Sequence, residues 1–404
     1  MVGSINLCLS HVDICCLIVD NLDVGDRLAV MVVAQVWRQV VNMRWNSSPI
    51  TYLNYKSRSV DSGALKTRIV RTHHNETSYR ARILIIGNAF DVRPKDNLCL
   101  DIMADEVNSL STRSSFTYAL PTRVSYPLGG AFASTVDKEG DLLLFGGWVD
   151  AVDDLSWESY RGRTSQRLQL EEYTNSALWT SLPSISFQRC FAAATSSLLG
   201  DIFLLGGSDS PFRGATVYSD AIVFRSSDES FETPLSCPSM LERRAGHSAV
   251  TLFDDSVVVL GGYAGGADYL CTVEQLDPAA QRWLPLPDMA VPRSGFACIV
   301  GEGGAIYVAG GSPDGSFGHK SLERLDLRVG RWEALPSMHY RRGYTAGCIG
   351  NRGCLYISGG ISGNTRQSSL EIFDPRRNSW ESVACVNGNE NLARAAHVMH
   401  FVMR

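Results

Sequence analysis

Residues 256–296 read SVVVLGGYAGGADYLCTVEQLDPAAQRWLPLPDMAVPRSGF. Four apolar residues, Val257 to Leu260, run into Gly261-Gly262. An apolar run this short, bounded by glycine, suits a strand covered on both faces. The next segment, TVEQLD, alternates as a half-covered strand does. Trp283 then opens RWLPLP, and Arg293 precedes the small, apolar stretch GFACIV. Gly and Pro punctuate the whole, so the segment reads as short strands joined by turns.

The same grammar recurs on both sides. Gly-Gly ends an apolar run at Gly146-Gly147, Gly206-Gly207, Gly261-Gly262, Gly310-Gly311 and Gly359-Gly360, at spacings of 60, 55, 49 and 49. An aromatic follows each pair: Trp179, Phe231, Trp283, Trp332 and Trp380. An arginine follows each aromatic: Arg189, Arg244, Arg293, Arg342 and Arg394. Three marks held in register over this distance define a repeat of about fifty residues, and repeats of that period build propellers or solenoids. Glycine at the end of the inner strand lets backbones approach closely near an axis. The recurring Trp residues serve packing, and the arginines are expected to tie neighbouring units through backbone carbonyls.

A further unit is degenerate. Arg82-Ile-Leu-Ile-Ile-Gly87-Asn88 matches the glycine-pair strand, and Gly87 precedes Gly146 by 59 residues. NLCLDIMADEVNSL follows, with Leu110 at the aromatic position. This unit has no first strand of its own. Residues 394–403 read as a first strand with nothing after it, so the C-terminal strand is expected to join the N-terminal three and close a ring. Closure removes exposed sheet edges. The repeat grammar resembles the kelch family. The resemblance covers residues 82–404, about four-fifths of the chain, and implies an all-β, six-bladed kelch β-propeller.

Residues 9–45 differ: few glycines and a helical rhythm of apolar residues, with Asp23 placed to cap a helix. This segment resembles an F-box. Asp13-Ile14, Leu22-Asp23, Asp26 with Leu28, and Trp37-Arg38 match its pattern, while Ser10-His11 replaces the usual Leu-Pro start. The resemblance implies docking on a Skp-family adaptor linked to a cullin, through Ile14, Leu22, Leu28, Val32 and Trp37. The bland alternative is a helical cap on the propeller. Residues 46–81 read as a linker with a basic excess.

Composition narrows the function. The chain has 404 residues and a net charge of -5, which disfavours broad electrostatic binding to nucleic acid or membrane. The uncharged run 1–12 is too short to span a bilayer and lacks a basic n-region. Eleven cysteines without a CxxC pair read as reduced thiols packed as small hydrophobes, which suits cytoplasm or nucleus.

No GxSxG or Walker loop occurs, and the glycine pairs lack the strand–loop–helix context of a phosphate cradle. Galactose-oxidase-like enzymes carry kelch-type blades with copper held by Tyr and His. Here the histidines are scattered, and His397 and His400 point to opposite faces of one strand. The expectation is therefore a non-catalytic binding subunit with no cofactor or metal. The loops between second and third strands, 148–165, 208–218, 263–269, 312–319 and 361–367, vary in length and share one face with the inter-blade turns. They carry Trp148, Tyr160, Arg161, Arg213, Tyr263, Tyr269, Phe317, His319 and Arg366, types that anchor interfaces. These are the candidate target-binding residues, and their arginines suit an acidic peptide. The combined expectation is the substrate-recognition subunit of an SCF-type ubiquitin ligase. A kelch interaction scaffold without ligase link is the alternative, and a propeller enzyme a distant third.

Overall fold

A computed structural model describes residues 81–86, 98–102, 117–119, 130–148, 162–170, 177–212, 214–232, 237–277, 280–350, 353–383 and 398–403. The expected F-box-like segment 9–45 and linker lie outside them, apart from residue 81. No α-helix occurs among the described residues, and the architecture is an all-β kelch propeller.

Five blades each consist of four consecutive antiparallel strands. In blade three these are Ser248–Thr251, Val257–Leu260, Val273–Asp277 and Arg282–Leu286, innermost to outermost. The register follows the pattern of the sequence: Val257 faces Leu276, and Leu276 faces Trp283. Blades four and five repeat it, with Leu325 facing Trp332 and Phe373 facing Trp380. The inner runs are strands because both faces are covered. Val257, Val258, Val259 and Leu260 are each at most 1% exposed. Burying one such side chain contributes about 1.5–3 kcal/mol.

The remaining four-stranded sheet is assembled from both ends of the described chain: Val398–Met403, Ala81–Ile86, Leu98–Ile102 and Thr117–Ala119. Its first two strands pair from Ala81↔Met403 to Ile86↔Val398, the pairing expected of the C-terminal strand. Val398–Met403 lies beside the inner strands of both blade five and blade one. One expectation is corrected. The place that Trp283 holds is taken here by Thr117, through Leu100. Leu110, which the repeat spacing puts at that place, lies outside the described residues.

The core is formed between blades. Val258, Leu260 and Met289 from blade three and its exit turn pack with Phe296, Ile306, Val308 and Leu325 of blade four. Ala297, Ala309 and Leu322 of blade four pack with Leu355, Ile357 and Phe373 of blade five. Each blade thus completes its neighbour's core and depends on the ring.

Polar staples cross the same seams. The Arg293 carbonyl accepts from Gly262 N–H of blade three at 2.7 Å. Its guanidinium donates to the Gly310 carbonyl of blade four at 2.5 Å and to the Glu323 carboxylate. Arg189, Arg244 and Arg342 repeat the arrangement, with Asp220, Glu274 and Glu371 as carboxylates. Arg244, Arg293 and Arg342 are 0% exposed. A Cβ on Gly261 would lie 2.6 Å from the Arg293 carbonyl oxygen, so the first glycine cannot be replaced without parting the blades. Farther from the axis, Trp283, Trp332 and Trp380 donate Nε1–H to the carbonyls of Pro238, Pro287 and Pro336 in the preceding turns.

His247 breaks the pattern. Its Cβ faces Gly262 as that of Phe296 faces Gly311. It is 6% exposed, and neither ring nitrogen has a hydrogen-bond partner. Burial, then the Arg244 charge, lowers its pKa to about 3. Cys190, Cys237, Cys271, Cys298, Cys348 and Cys354 are free thiols, and burial pushes Cys190 up to about 12 and Cys237 up to about 11.

Two stability predictions follow from this packing. Arg293→Met should lower unfolding free energy by about 3–5 kcal/mol, because it strands the buried Glu323 carboxylate. Pairing it with Glu323→Leu should recover part of that loss, read from urea midpoints. His247→Phe should stabilise by about 1–3 kcal/mol by removing unsatisfied buried nitrogens. Below about pH 6.5 the unfolded chain protonates His247 while the folded chain resists until about pH 3. The wild type should therefore lose stability between pH 7.5 and 5.5 faster than the His247→Phe variant does.

Candidate protein-binding face

The inter-blade turns and the loops between second and third strands meet on one face. Isolated bridges join them: Cys190 with Ser208, Ala245 with Tyr263, His319 with Arg342, and Gly343 with Ile361. Arginine-stapled turns therefore brace the variable loops, a common way for a rigid scaffold to carry a site.

The loops lean onto one another across blade boundaries. Trp148 of blade one packs edge-on against Phe212 of blade two, with ring centroids 5.4 Å apart. In blade three, Tyr263–Gly265 and Asp268–Tyr269 form a small hairpin, and the two tyrosine rings lie 5.2 Å apart. A Cβ on Gly315 of blade four would sit 2.5 Å from Tyr269 Oη and 3.6 Å from Tyr344 Oη. The missing side chain thus makes room for two hydroxyls from neighbouring blades. Burial pushes Tyr344 up to about 12, with Tyr269 and Asp314 adding to the shift.

Asp314 shapes the blade-four loop. Its Oδ1 accepts from Ser316 N–H at 2.8 Å and Phe317 N–H at 3.0 Å. These backbone donors hold its carboxyl below the usual range. The loop presents Phe317, 61% exposed, and sets it beside Gly363 of blade five. His319 lies half-buried below, with Nε2 3.3 Å from the Pro292 carbonyl. Burial, then Arg293, lowers its pKa. It braces the loop rather than presenting a charge. Arg366 is half-buried in the hairpin Ile361–Ser362/Thr365–Arg366.

The face therefore gathers Trp148, Tyr263, Tyr269 and Phe317, with His319 beneath and Arg366 at the side. Tyr160, Arg161 and Arg213 lie outside the described residues. Arg163, Arg243 and Arg341 are exposed. Arg163 Nε donates to the Ile185 carbonyl, Arg243 runs along the blade-three hairpin by Gly265, and Arg341 reaches the Gly318 carbonyl at 3.4 Å. Two aromatic residues at the axial mouth escaped the sequence reading, Phe191 and Tyr344. A regular signal marks them: each stands two places after a staple arginine.

The arrangement suits recognition: aromatic surface, arginines and braced loops. Among the described residues no group of His, Cys, Asp and Glu is placed to hold a metal ion, and no helix is long and apolar enough to cross a membrane.

Comparison with known proteins agrees with this geometry. Residues 192–404 match the family model described as the KLHDC2/KLHL20/DRC7 Kelch-repeats domain. No curated protein matches the chain. A solved structure described as the structure of YjhT is 14% identical, with a TM-score of 0.53 over 66% of this chain and 86% of that one. A fungal alcohol oxidase of the AA5 family, solved in complex with copper, is 15% identical. Its TM-score is 0.50 over 75% of this chain and 62% of that one. At such identities the likeness is one of fold alone. The matched segment runs from the first strand of blade two through the C-terminal strand, and this chain belongs to the KLHDC2/KLHL20/DRC7 Kelch-repeats domain family.

Proposed function

We propose that this protein is the substrate-recognition subunit of an SCF-type ubiquitin ligase, acting in cytoplasm or nucleus. A kelch propeller is a protein-interaction domain, and here its loop face would hold the target. The F-box-like residues Ile14, Leu22, Leu28, Val32 and Trp37 would dock on a Skp-family adaptor and, through it, a cullin. The protein itself would perform no chemistry and need no cofactor. Holding the target beside the transfer machinery makes a bimolecular step effectively intramolecular.

One observation carries the propeller half of this reading. Aromatic side chains from different blades, with arginines among them, converge on a face whose loops are pinned by buried staples. Low mobility in the free state reduces the ordering cost of binding. The sheet built from both chain ends completes the picture as a sixth, closing blade. In a closed ring, no blade presents an open seam on the face that holds the target.

Two experiments test the proposal. Full-length protein should co-purify with a Skp-type adaptor and cullin, whereas a chain beginning at Ser78 should not. Leu28→Ala with Trp37→Ala should abolish capture while leaving the propeller's unfolding transition intact. Retained capture in that double variant would overturn the ligase assignment. Failure of folded full-length protein to capture either would favour a kelch scaffold without ligase link. Separately, removing residues 395–404 should expose the edge of Ala81–Ile86 and yield aggregated protein or a markedly earlier urea midpoint. An unchanged midpoint would refute the closing role of the C-terminal strand.

A further inference from the structure

On the loop face the mouth of the propeller is lined by one residue from each of blades one to five, two places after the staple arginine in blades two to five and two places after Gly129 in blade one. In blades one to five these are Ala131, Phe191, Gly246, Gly295 and Tyr344, with φ of 60°, 54°, 62°, 60° and 54°. A chain of backbone hydrogen bonds runs through them. Phe191 N–H donates to Ala131 O, Gly246 N–H to Phe191 O, Gly295 N–H to Gly246 O, and Thr345 N–H to Gly295 O. The left-handed backbone is thus imposed by the ring itself, and glycine is the residue that adopts it without strain. Gly246 and Gly295 comply. Ala131, Phe191 and Tyr344 depart from glycine, and the two bulky aromatics with positive φ are the true outliers.

The two exceptions belong together. Blades two and five face each other across the axis, since their inner strands are three steps apart around the ring. The Phe191 and Tyr344 rings nevertheless meet, with centroids 5.9 Å apart. Tyr344 lies directly against Gly295, where a Cβ would be 2.8 Å from its ring. Tyr344 also extends to Gly315 and the Tyr269 hydroxyl. The strained pair therefore roofs the axial channel and makes an aromatic floor at the centre of the loop face, continuous with Tyr269. Neither ring belongs to a blade core, and both are half-buried at the mouth. Strain of this kind persists where it serves a site.

Charge indicates what lies on that floor. Arg243 and Arg341 project from the turns that lead into Gly246 and Tyr344, and neither pairs with a carboxylate among the described residues. The nearby Asp314 stays ionised, with its Oδ1 turned onto the N–H groups of its own loop. We infer that the target segment is an acidic stretch of extended chain laid across the closed mouth. One apolar side chain packs on Phe191 and Tyr344, and flanking carboxylates meet Arg243 and Arg341. The inference rests on the loop face being the target-binding face.

A library of peptides about twelve residues long, spanning about 40 Å when extended, would be displayed in a scaffold loop with both ends tethered. It would be selected on full-length protein. Recovered sequences should place Asp or Glu on both sides of an apolar residue. The best peptide, labelled and titrated by fluorescence polarisation, should bind Arg243→Glu and Arg341→Glu about tenfold or more weakly. It should bind Phe191→Gly equally weakly. That variant adopts the backbone of Gly246 and Gly295, so its unfolding transition should be retained. Leu199→Glu, in the turn on the opposite face, should bind normally. If the arginine variants lose binding and folded Phe191→Gly does not, the floor has no role and the inference fails while the loop face stands. If no peptide is recovered, or only Leu199→Glu loses binding, the loop-face reading fails with it.

Discussion

The buried arginine staple is the interaction on which the rest depends. Each staple arginine offers its carbonyl to one blade and its guanidinium to the next, so a single residue holds both sides of a seam. A guanidinium in the dry interior is costly without full pairing. Here it reaches a glycine carbonyl and a carboxylate, and that carboxylate also collects backbone N–H groups of the turn. Glu274 takes Leu241 N–H, Glu323 takes Ala290 N–H and Glu371 takes His339 N–H. The turn, the arginine and the third strand of the next blade are thereby fixed relative to one another.

From this constraint come both the uniformity of the blades and the freedom of the loops. The first glycine of each pair is required because the arginine carbonyl occupies the space of a side chain, and the second because the first strand of its own blade does, as Ala245 O and His247 Cβ do at Gly262. The inner strands are apolar because two blades close over them. Between the second glycine and the start of the third strand nothing in the staple dictates sequence, and there the blades diverge. Blade three builds a hairpin on two tyrosines, blade four an aspartate-capped loop that displays Phe317, and blade five a short hairpin ending at Arg366. The same ring imposes left-handed backbone at its mouth, where two blades keep glycine, one holds Ala131, and two accept strain to set aromatic rings over the axis. Around this frame, a reading as a target-holding subunit places variation where contact occurs and invariance where support is needed.

Much of this was legible in the chain of residues. Spacing between glycine pairs, Trp and Arg residues identified the blades, and the unmatched strand at the C-terminus anticipated its pairing with Ala81–Ile86. The described parts of the loops nominated for binding share one face, and Trp148, Tyr263, Tyr269 and Phe317 stand on it. His319 was read as a contact residue, yet it is half-buried and braces its loop, because its side chain turns under towards Pro292. Repeat spacing points to Leu110 at the place where the strand register puts Thr117.

Local pattern dictates the period, the strands and the seams, since these rest on contacts that recur at constant intervals along the chain. The axial mouth is different. Phe191 and Tyr344 are 153 positions apart, and nothing local links them. Only the circular arrangement of the blades brings their rings within reach. The strain that marks them is a property of backbone angles imposed by neighbouring blades. The orphaned nitrogens of His247 arise in the same way. A histidine in a repeat position is unremarkable in sequence, and its lack of partners follows from how completely the adjoining blades exclude water.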